Sequence, residues 1–462
     1  MTTATLTTPA IHISDYNSSE STLSDDGDDA RTSPCNPSIE ALKIPTGHMN
    51  LPSLERTHSS PSTGTVQYLC VPRRPTIRRS ISNTSTRTID AIVKRSRWSL
   101  HLEAATWRNL MSIGMYLHTV AHPRPPAPTF TKVIPATLSP HKGHIKLQFY
   151  CPIGWPNKPR GKDNDVYGFP AMVNFHGGGF TIGSATDDCR WADAVRRAVD
   201  CILVSVEYRR APEFPFPTAV EDGVDAIFYL THHAKELNID INRLSVSGFS
   251  AGGNMAFTVP LRWQYECRAL MGIPTDVTGG TPLPPDAASE GAFSMSRRGG
   301  KIVTICAWYP SLDFTNPRCD RRKTNVRPDK GMPEFFTNLF DASYLYPPKS
   351  IDVASPYLSP GVASDGLLQG LPKDILMYTC EYDELCAEGL RFRDRLRSEP
   401  LNKNVIWKMV EKQPHAWDKS PNGKDPERDK FYTEACKKLR GIFYGSEEEL
   451  APPENSKHKS KK

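Results

Sequence analysis

The sequence lacks any arrangement of cysteines that would indicate a disulfide framework. Its eleven cysteines are odd in number and scattered, and no C-x-x-C pair occurs. Cys201, Cys306 and Cys380 lie within apolar runs typical of strands, where cysteine behaves as a small hydrophobic residue. The pattern therefore favours a reducing compartment over an oxidising one.

Long apolar runs and a strong charge of one sign are also missing. Residues 1–29 are rich in Thr, Ser and Asp, so no secretory signal peptide is predicted. The longest apolar stretch near the front, residues 110–120, is too short to span a bilayer. Local basic tails account for the net charge of +6, which is modest for 462 residues, so no nucleic-acid partner is predicted. We expect a soluble, cytoplasmic protein.

Apolar residues are scarce at 38%, whereas proline is abundant with 41 residues. This combination predicts one packed domain diluted by disordered or loop-rich sequence. Residues 1–87 contain Ser, Thr, Pro and charge with few apolar runs, and they are predicted to be disordered. Within them, two arginines precede Ser80 and Ser82, which resembles a site for a basic-directed kinase; the alternative is a solvated linker.

Between residues 88 and 130 the apolar residues become closely spaced. This spacing predicts one or two amphipathic helices, followed by a stiff proline-rich connector. Three interpretations of the helices are open. They form a cap or lid over an active site, a basic amphipathic patch that contacts a membrane or lipid droplet, or a simple packed cover of the domain.

From about residue 131 to 446, short apolar strands alternate with helical segments. Strand patterns occur at residues 146–150, 171–175, 201–207, 243–247, 302–306, 375–380 and 405–410. Such alternation predicts an α/β fold with a mostly parallel sheet and helices on both of its faces. Residues 272–300 are rich in Pro, Gly and Ser and are predicted to be an inserted surface loop, and residues 447–462 a charged disordered tail.

A G-x-S-x-G pentapeptide at residues 248–252 follows one of these strands and precedes a helical segment. A serine between a strand and a helix, with glycines on both sides, is typical of the strained turn called a nucleophile elbow. The glycines let two backbones pass closely where a Cβ would clash. Ser250 is therefore the candidate nucleophile, although the same pentapeptide also occurs in ordinary loops.

A serine nucleophile needs a base, and the base needs a carboxylate to orient it. Downstream of Ser250 the only histidines are His415 and His458, and His458 lies in the polar tail. His415 follows the last predicted strand and is the candidate base. Asp383 follows the preceding strand and is the candidate acid, with a helix N-cap as its alternative role. The chain order Ser, Asp, His is the one expected for this kind of elbow.

A glycine-rich loop, residues 176–179 with the sequence His-Gly-Gly-Gly, follows a strand well upstream. Glycines allow backbone N–H groups to converge on one point, as the stabilisation of an oxyanion requires. The alternative is a phosphate-binding turn, but no G-K-[ST] follows. We therefore predict the N–H groups of Gly177, Gly178 and Ala251 as the oxyanion donors.

The segment from residue 173 to 417 resembles the hormone-sensitive lipase family of α/β-hydrolases, also called HGGG or class IV esterases. The shared pieces occur in the family's order at residues 176–180, 206–213, 216–223, 248–252, 309–310 with Asp313, 355–360, and 381–383 with 388–389. The resemblance implies an α/β-hydrolase fold with an eight-stranded sheet, an N-terminal helical cap and ester hydrolysis through an acyl-enzyme. Ser250, Asp383 and His415 match the family's triad positions.

Three features depart from the family's pattern. Phe249 stands where the family usually has Asp before the serine, His415-Ala416-Trp417 replaces His-Gly-Phe, and the insertion at 272–300 is longer than usual. Phe249 is not a triad member, so we expect the chemistry to survive with altered packing around the elbow.

The sequence thus predicts a serine hydrolase that cleaves small-molecule carboxylic esters with short or medium acyl or aryl groups. No metal and no organic cofactor are expected. One alternative is an amidase or deacetylase that uses the same triad. The other is a non-catalytic receptor that binds ligands on this fold, although the intact Ser, Asp and His set argues against it.

Overall fold

The computed structural model describes residues 95–157, 168–271 and 300–445, together with Ile89 and Ile92. The predicted disordered region at 1–87 with Ser80 and Ser82, almost all of the inserted loop at 272–300, and the predicted tail at 447–462 lie outside the described residues.

An eight-stranded sheet forms the centre of the molecule, in the order β1-β2-β4-β3-β5-β6-β7-β8. Its strands are β1 Phe130–Pro135, β2 His144–Tyr150, β3 Phe169–Phe175, β4 Ile202–Glu207, β5 Ile239–Phe249, β6 Ile302–Trp308, β7 Asp374–Tyr382 and β8 Asn404–Pro414. Strand β2 pairs antiparallel with β1 and with β4, and every other neighbouring pair is parallel. The predicted mostly parallel sheet is confirmed, and β1 adds an edge strand to the seven predicted strand patterns.

The described residues contain ten α-helices. They are α1 Arg97–Val120, α2 Cys189–Ala198, α3 Thr218–His232, α4 Ala234–Leu237, α5 Ala251–Leu270, α6 Arg318–Arg322, α7 Glu334–Tyr344, α8 Asp365–Leu368, α9 Cys386–Arg397 and α10 Pro426–Tyr444. Helix α7 is not among the predicted elements, although Phe335, Phe336, Leu339 and Phe340 recur at helical spacing.

The core consists of two layers, one on each face of the sheet. Successive residues of a strand point to opposite faces, so in β3 Met172 belongs to one layer and Val173 to the other. Helices α3, α5 and α9 cover the Val173 side, and α2 and α10 cover the Met172 side. Because both faces are covered, β3 is buried along its whole length, which explains its uninterrupted apolar sequence.

Helix α1 lies within the segment predicted to be a cap, and one side of it packs against α7. Leu100 of α1 is buried in a small cluster with Leu339 and Phe340 of α7. The ring of Trp107 stacks on Phe335 at a centroid distance of 5.1 Å. Among the described residues, no helix combines the length and the apolar character needed to cross a membrane.

Candidate active site

Ser250 lies at the junction between β5 and α5, in a backbone conformation that non-glycine residues rarely adopt. Its φ is 57° and its ψ is −114°. The flanking glycines make this sharp turn possible. A Cβ on Gly252 would lie 1.9 Å from the carbonyl oxygen of Phe175, and one on Gly248 would lie 2.1 Å from the carbonyl oxygen of Gly252. The elbow therefore presses directly against the end of β3, as the pentapeptide predicts.

The structure brings Ser250, His415 and Asp383 into one hydrogen-bonded chain. His415 Nε2 lies 2.8 Å from Ser250 Oγ, and His415 Nδ1 lies 2.7 Å from Asp383 Oδ2. The other oxygen of Asp383 accepts the backbone N–H of Leu385 at 3.0 Å, which holds the carboxylate in place. All three side chains follow the carboxyl ends of parallel strands, namely β5, β7 and β8, and this common edge of the sheet is why residues so distant in sequence meet.

His415 is almost fully buried, and its surroundings favour the protonated imidazole. Burial alone lowers the pKa of His415, but the negative charge of Asp383 and the hydrogen bond to it outweigh that effect. The net result is a pKa raised above the ordinary value of 6.5. An imidazole with a raised pKa is a stronger base for the hydroxyl of Ser250.

The glycine-rich loop runs alongside the serine. An ideal Cβ on Gly177 would lie 3.4 Å from Ser250 Cβ, so the loop passes close to the serine. Gly178 and Gly179 have φ values of +103° and +58°, and a Cβ on Gly179 would lie 2.2 Å from the ring of Phe340. Glycine is therefore required here both by the backbone conformation and by the close approach of a pocket wall.

Ala251 is the first residue of α5, and the first N–H groups of a helix have no acceptor within the helix. They point out of its positively polarised end. The predicted donors Gly177, Gly178 and Ala251 thus lie on two backbone segments that flank Ser250. This arrangement can stabilise a negative oxygen next to the serine.

A pocket with an empty volume of about 470 Å³, including its open mouth, leads to Ser250. Its walls are mostly aromatic or apolar and include Phe180, Phe314, Met332, Phe340, Tyr344 and Leu385. Helix α7 supplies two of these residues, so the helix that was not predicted from the sequence forms a large part of the wall.

Arg318 is a charged residue of the pocket wall that the sequence did not single out. It donates to both carboxylate oxygens of Asp341 at 3.0 Å, and to Glu384 Oε1 at 2.8 Å. Glu384 follows the triad candidate Asp383 directly, and its carboxylate pairs with this arginine. The guanidinium thereby ties helix α7 to the loop that holds Asp383.

A second set of residues that sequence reasoning missed lies behind the elbow and His415. Lys419 Nζ lies 2.6 Å from Asp188, 3.0 Å from Asp418 and 3.6 Å from the centre of the Phe249 ring. Asp418 also accepts the hydroxyl of Tyr309, whose ring meets that of His415 edge-on at 4.8 Å. No local signal marks this network, because Lys419 and Asp188 are 231 residues apart.

Phe249 is fully buried within an aromatic cluster. Its ring is parallel to that of Trp308 at a centroid distance of 5.7 Å, and it also contacts Trp191 and Tyr432. The neutral ring receives the ammonium of Lys419 on its face, a favourable cation–π contact. The departure at this position is thus accommodated by packing and by a lysine that neutralises the nearby carboxylates.

Across residues 95–157, 168–271 and 300–445, no group of three or more His, Cys, Asp or Glu side chains is placed to hold a metal ion.

Comparison with known proteins agrees with this architecture. Residues 172–419, more than half of the chain, match the family described as alpha/beta hydrolase fold. The chain is 30% identical over 230 residues to an arylesterase of Saccharolobus solfataricus, a match that covers 49% of this chain and 61% of the relative. It is 27% identical over 271 residues to human arylacetamide deacetylase-like 2, covering 52% of this chain and 65% of the relative. The chain thus spans less than two thirds of the length of either relative.

Among solved structures, a bacterial heroin esterase is similar with a TM-score of 0.54 and 24% identity. The match covers 79% of this chain and 98% of that protein. Similarity at this level of identity supports the fold alone.

Proposed function

This chain belongs to the α/β-hydrolase family, in the group that resembles hormone-sensitive lipase, and we propose from its site that it is a serine hydrolase of carboxylic esters. One observation supports the proposal above all others. The chain of hydrogen bonds from Ser250 Oγ to His415 Nε2 at 2.8 Å, and from His415 Nδ1 to Asp383 Oδ2 at 2.7 Å, has the order and geometry that nucleophilic catalysis by serine requires.

In the acylation step, Ser250 Oγ attacks the ester carbonyl carbon while its proton passes to His415 Nε2. Asp383 accepts the Nδ1 hydrogen and stabilises the imidazolium that forms. The carbonyl oxygen becomes an oxyanion, which the N–H groups of Gly177, Gly178 and Ala251 receive. When the tetrahedral intermediate collapses, the carbon–oxygen bond to the alcohol breaks, and His415 returns the proton to the leaving alcohol.

Deacylation repeats the sequence with water as the nucleophile. His415 takes a proton from the water, whose oxygen attacks the acyl carbon, and the bond to Ser250 Oγ breaks. The carboxylic acid leaves and the proton returns to the serine. No group outside the chain is consumed except ester and water.

We propose short or medium acyl esters and aryl esters as the substrates. The pocket that leads to Ser250 is lined mostly by aromatic and apolar side chains, as small-molecule sites usually are. Aromatic walls such as Phe314, Phe340 and Tyr344 suit an acyl chain or an aryl ring.

The central test compares Ser250→Ala with wild type on p-nitrophenyl esters of increasing acyl length. We expect kcat to fall by about 10⁵-fold or more, because the nucleophile is lost. Labelling by a fluorophosphonate probe should disappear as well. Ser311→Ala is the matched control, since Ser311 lines the same pocket but its hydroxyl makes no hydrogen bond to His415.

Two other functions are distinguished by adding p-nitroanilide substrates to the p-nitrophenyl esters and the fluorophosphonate probe. If p-nitroanilides are cleaved faster than the matching esters, the protein is an amidase or deacetylase instead; the relative named arylacetamide deacetylase-like 2 makes this comparison worthwhile. If wild type neither turns over esters nor takes the fluorophosphonate label, the esterase proposal is wrong and a ligand-binding role replaces it.

A further inference from the structure

The side of α1 that faces away from the domain is strongly apolar. Six of its large side chains are at least half exposed: Trp98, Leu102, Leu110, Ile113, Tyr116 and Leu117. At about 100° per residue they fall within an arc of about 120° around the helix axis. We call this surface the outer face of α1.

No charged residue interrupts the outer face. The other positions of the same arc are Ser99, Thr106, Asn109 and Val120, all of them uncharged. The helix has 24 residues and is therefore about 36 Å long. A single exposed apolar residue needs no explanation, but an uncharged stripe of this length indicates a binding surface.

The opposite side of α1 holds the helix firmly on the domain. Trp107 packs against Phe335 and Phe336 of α7. Arg108 donates to both carboxylate oxygens of Glu213 at 2.8 and 2.7 Å. The outer face is therefore a surface of the folded domain, and helix α7 behind it contributes Phe340 to the pocket wall.

The sequence directly before α1 is strongly basic. Between residues 73 and 94 it contains the basic residues Arg73, Arg74, Arg78, Arg79, Arg87 and Lys94, and Asp90 is the single acidic residue; Arg95 and Arg97 are not counted, because they pair with Glu103 and with the carbonyl oxygen of Pro212. An apolar helix face next to a cluster of positive charge is the combination that binds anionic lipid surfaces. A second protein chain would be matched equally well by the apolar stripe, but the excess of positive charge favours phospholipid.

We propose that the outer face of α1 is a lipid-binding surface that lies in the head-group region of an anionic membrane. The apolar side chains enter the boundary between head groups and acyl chains, and the basic segment contacts the anionic head groups. This proposal does not depend on the esterase proposal, because binding to vesicles is measured without turnover.

The test is flotation of the full chain with vesicles of phosphatidylcholine, with and without phosphatidylserine. We expect wild type to float with the phosphatidylserine vesicles. The double variant Leu102→Gln/Ile113→Gln should bind them about ten-fold more weakly or worse, since two side chains lose their transfer to the apolar phase. The matched control is Leu270→Gln/Val326→Gln, which removes two apolar residues of similar exposure outside α1 and should bind like wild type.

A second variant tests the electrostatic part. Replacing Arg78, Arg79 and Arg87 with Gln should weaken binding to phosphatidylserine vesicles, and high salt should have the same effect on wild type. Light scattering of the same proteins without vesicles reports the oligomeric state. A wild type that does not float, or a Leu102/Ile113 variant that floats as well as wild type, would overturn the proposal. A wild-type dimer that the same variant converts to monomer would assign the face to a second copy of the chain instead.

Discussion

We expect mild acid to destabilise this protein through His118, a buried residue in the last turn of α1. Its side chain is 1% exposed, and Nδ1 is hydrogen-bonded to the carbonyl oxygen of Ser420 at 2.7 Å. Burial lowers the pKa of His118 to about 4; the bond to Ser420 opposes this shift, and the positive charges of Lys419, Arg190 and Arg428 add to it. The imidazole is therefore neutral in the folded protein at neutral pH.

The magnitude follows from the difference between the folded and unfolded pKa values. In the unfolded chain the pKa of His118 returns to about 6.5, so between pH 6.5 and pH 4 the unfolded state binds more protons than the folded state. Stability is therefore unaffected by His118 above that window and falls as the pH drops through it. The loss is about 2 kcal/mol at pH 5 and about 3 kcal/mol at pH 4.

The assay is urea unfolding at a series of pH values for wild type and for His118→Asn. The amide nitrogen of Asn can replace Nδ1 as the donor to Ser420, but the side chain does not titrate. At neutral pH the variant should be less stable because of the lost packing, and this gap should close or reverse toward pH 4. His232→Asn, which replaces an exposed histidine, is the control and should follow the wild-type curve. If wild type and His118→Asn lose stability in parallel, the assignment of the acid sensitivity to His118 is refuted.

Three further substitutions test the site and its support. Asp383→Asn should lower kcat by about 10⁴-fold. Because the carboxylate raises the pKa of His415, its loss should also move the acid limb of the remaining pH–rate profile to lower pH, and an unmoved limb would count against this pairing. Gly178→Ala should lower kcat by about 10²-fold or more, because alanine is strained at a φ of +103° and its Cβ would lie 2.4 Å from the carbonyl oxygen of Ile182, which displaces the loop. Unchanged kinetics would exclude the loop from the oxyanion site. Lys419→Met should cost about 3–5 kcal/mol of unfolding free energy by urea titration, since it leaves two buried carboxylates without their cation; a cost below 1 kcal/mol would contradict this reasoning.

The parts of the site that were predicted from the sequence are those with a local physical signature. The elbow at Ser250 is recognisable because the close contact with β3 excludes any Cβ at Gly248 and Gly252. The candidates His415 and Asp383 follow from chain order and from their places after strands, since parallel strands end at one common edge. The α/β architecture follows in the same way from the alternation of short apolar strands with helices.

The residues that only the tertiary structure brought into view have no such local signature. Arg318 and Lys419 look like ordinary surface cations in the sequence. In the structure, Arg318 bridges α7 to the loop after β7, and Lys419 neutralises carboxylates behind the elbow. The same limit applies to α1. Its sequence predicts an amphipathic helix and leaves a lid, a membrane patch and a packed cover open. Both sides of this helix are apolar, and only the position of α7 decides which one is buried, because a periodic pattern marks an apolar face but does not identify the distant segment that packs on it. The sequence thus determines the strands, the turn at Ser250 and the order of the reactive groups, and the tertiary structure decides which charges and which apolar faces they meet.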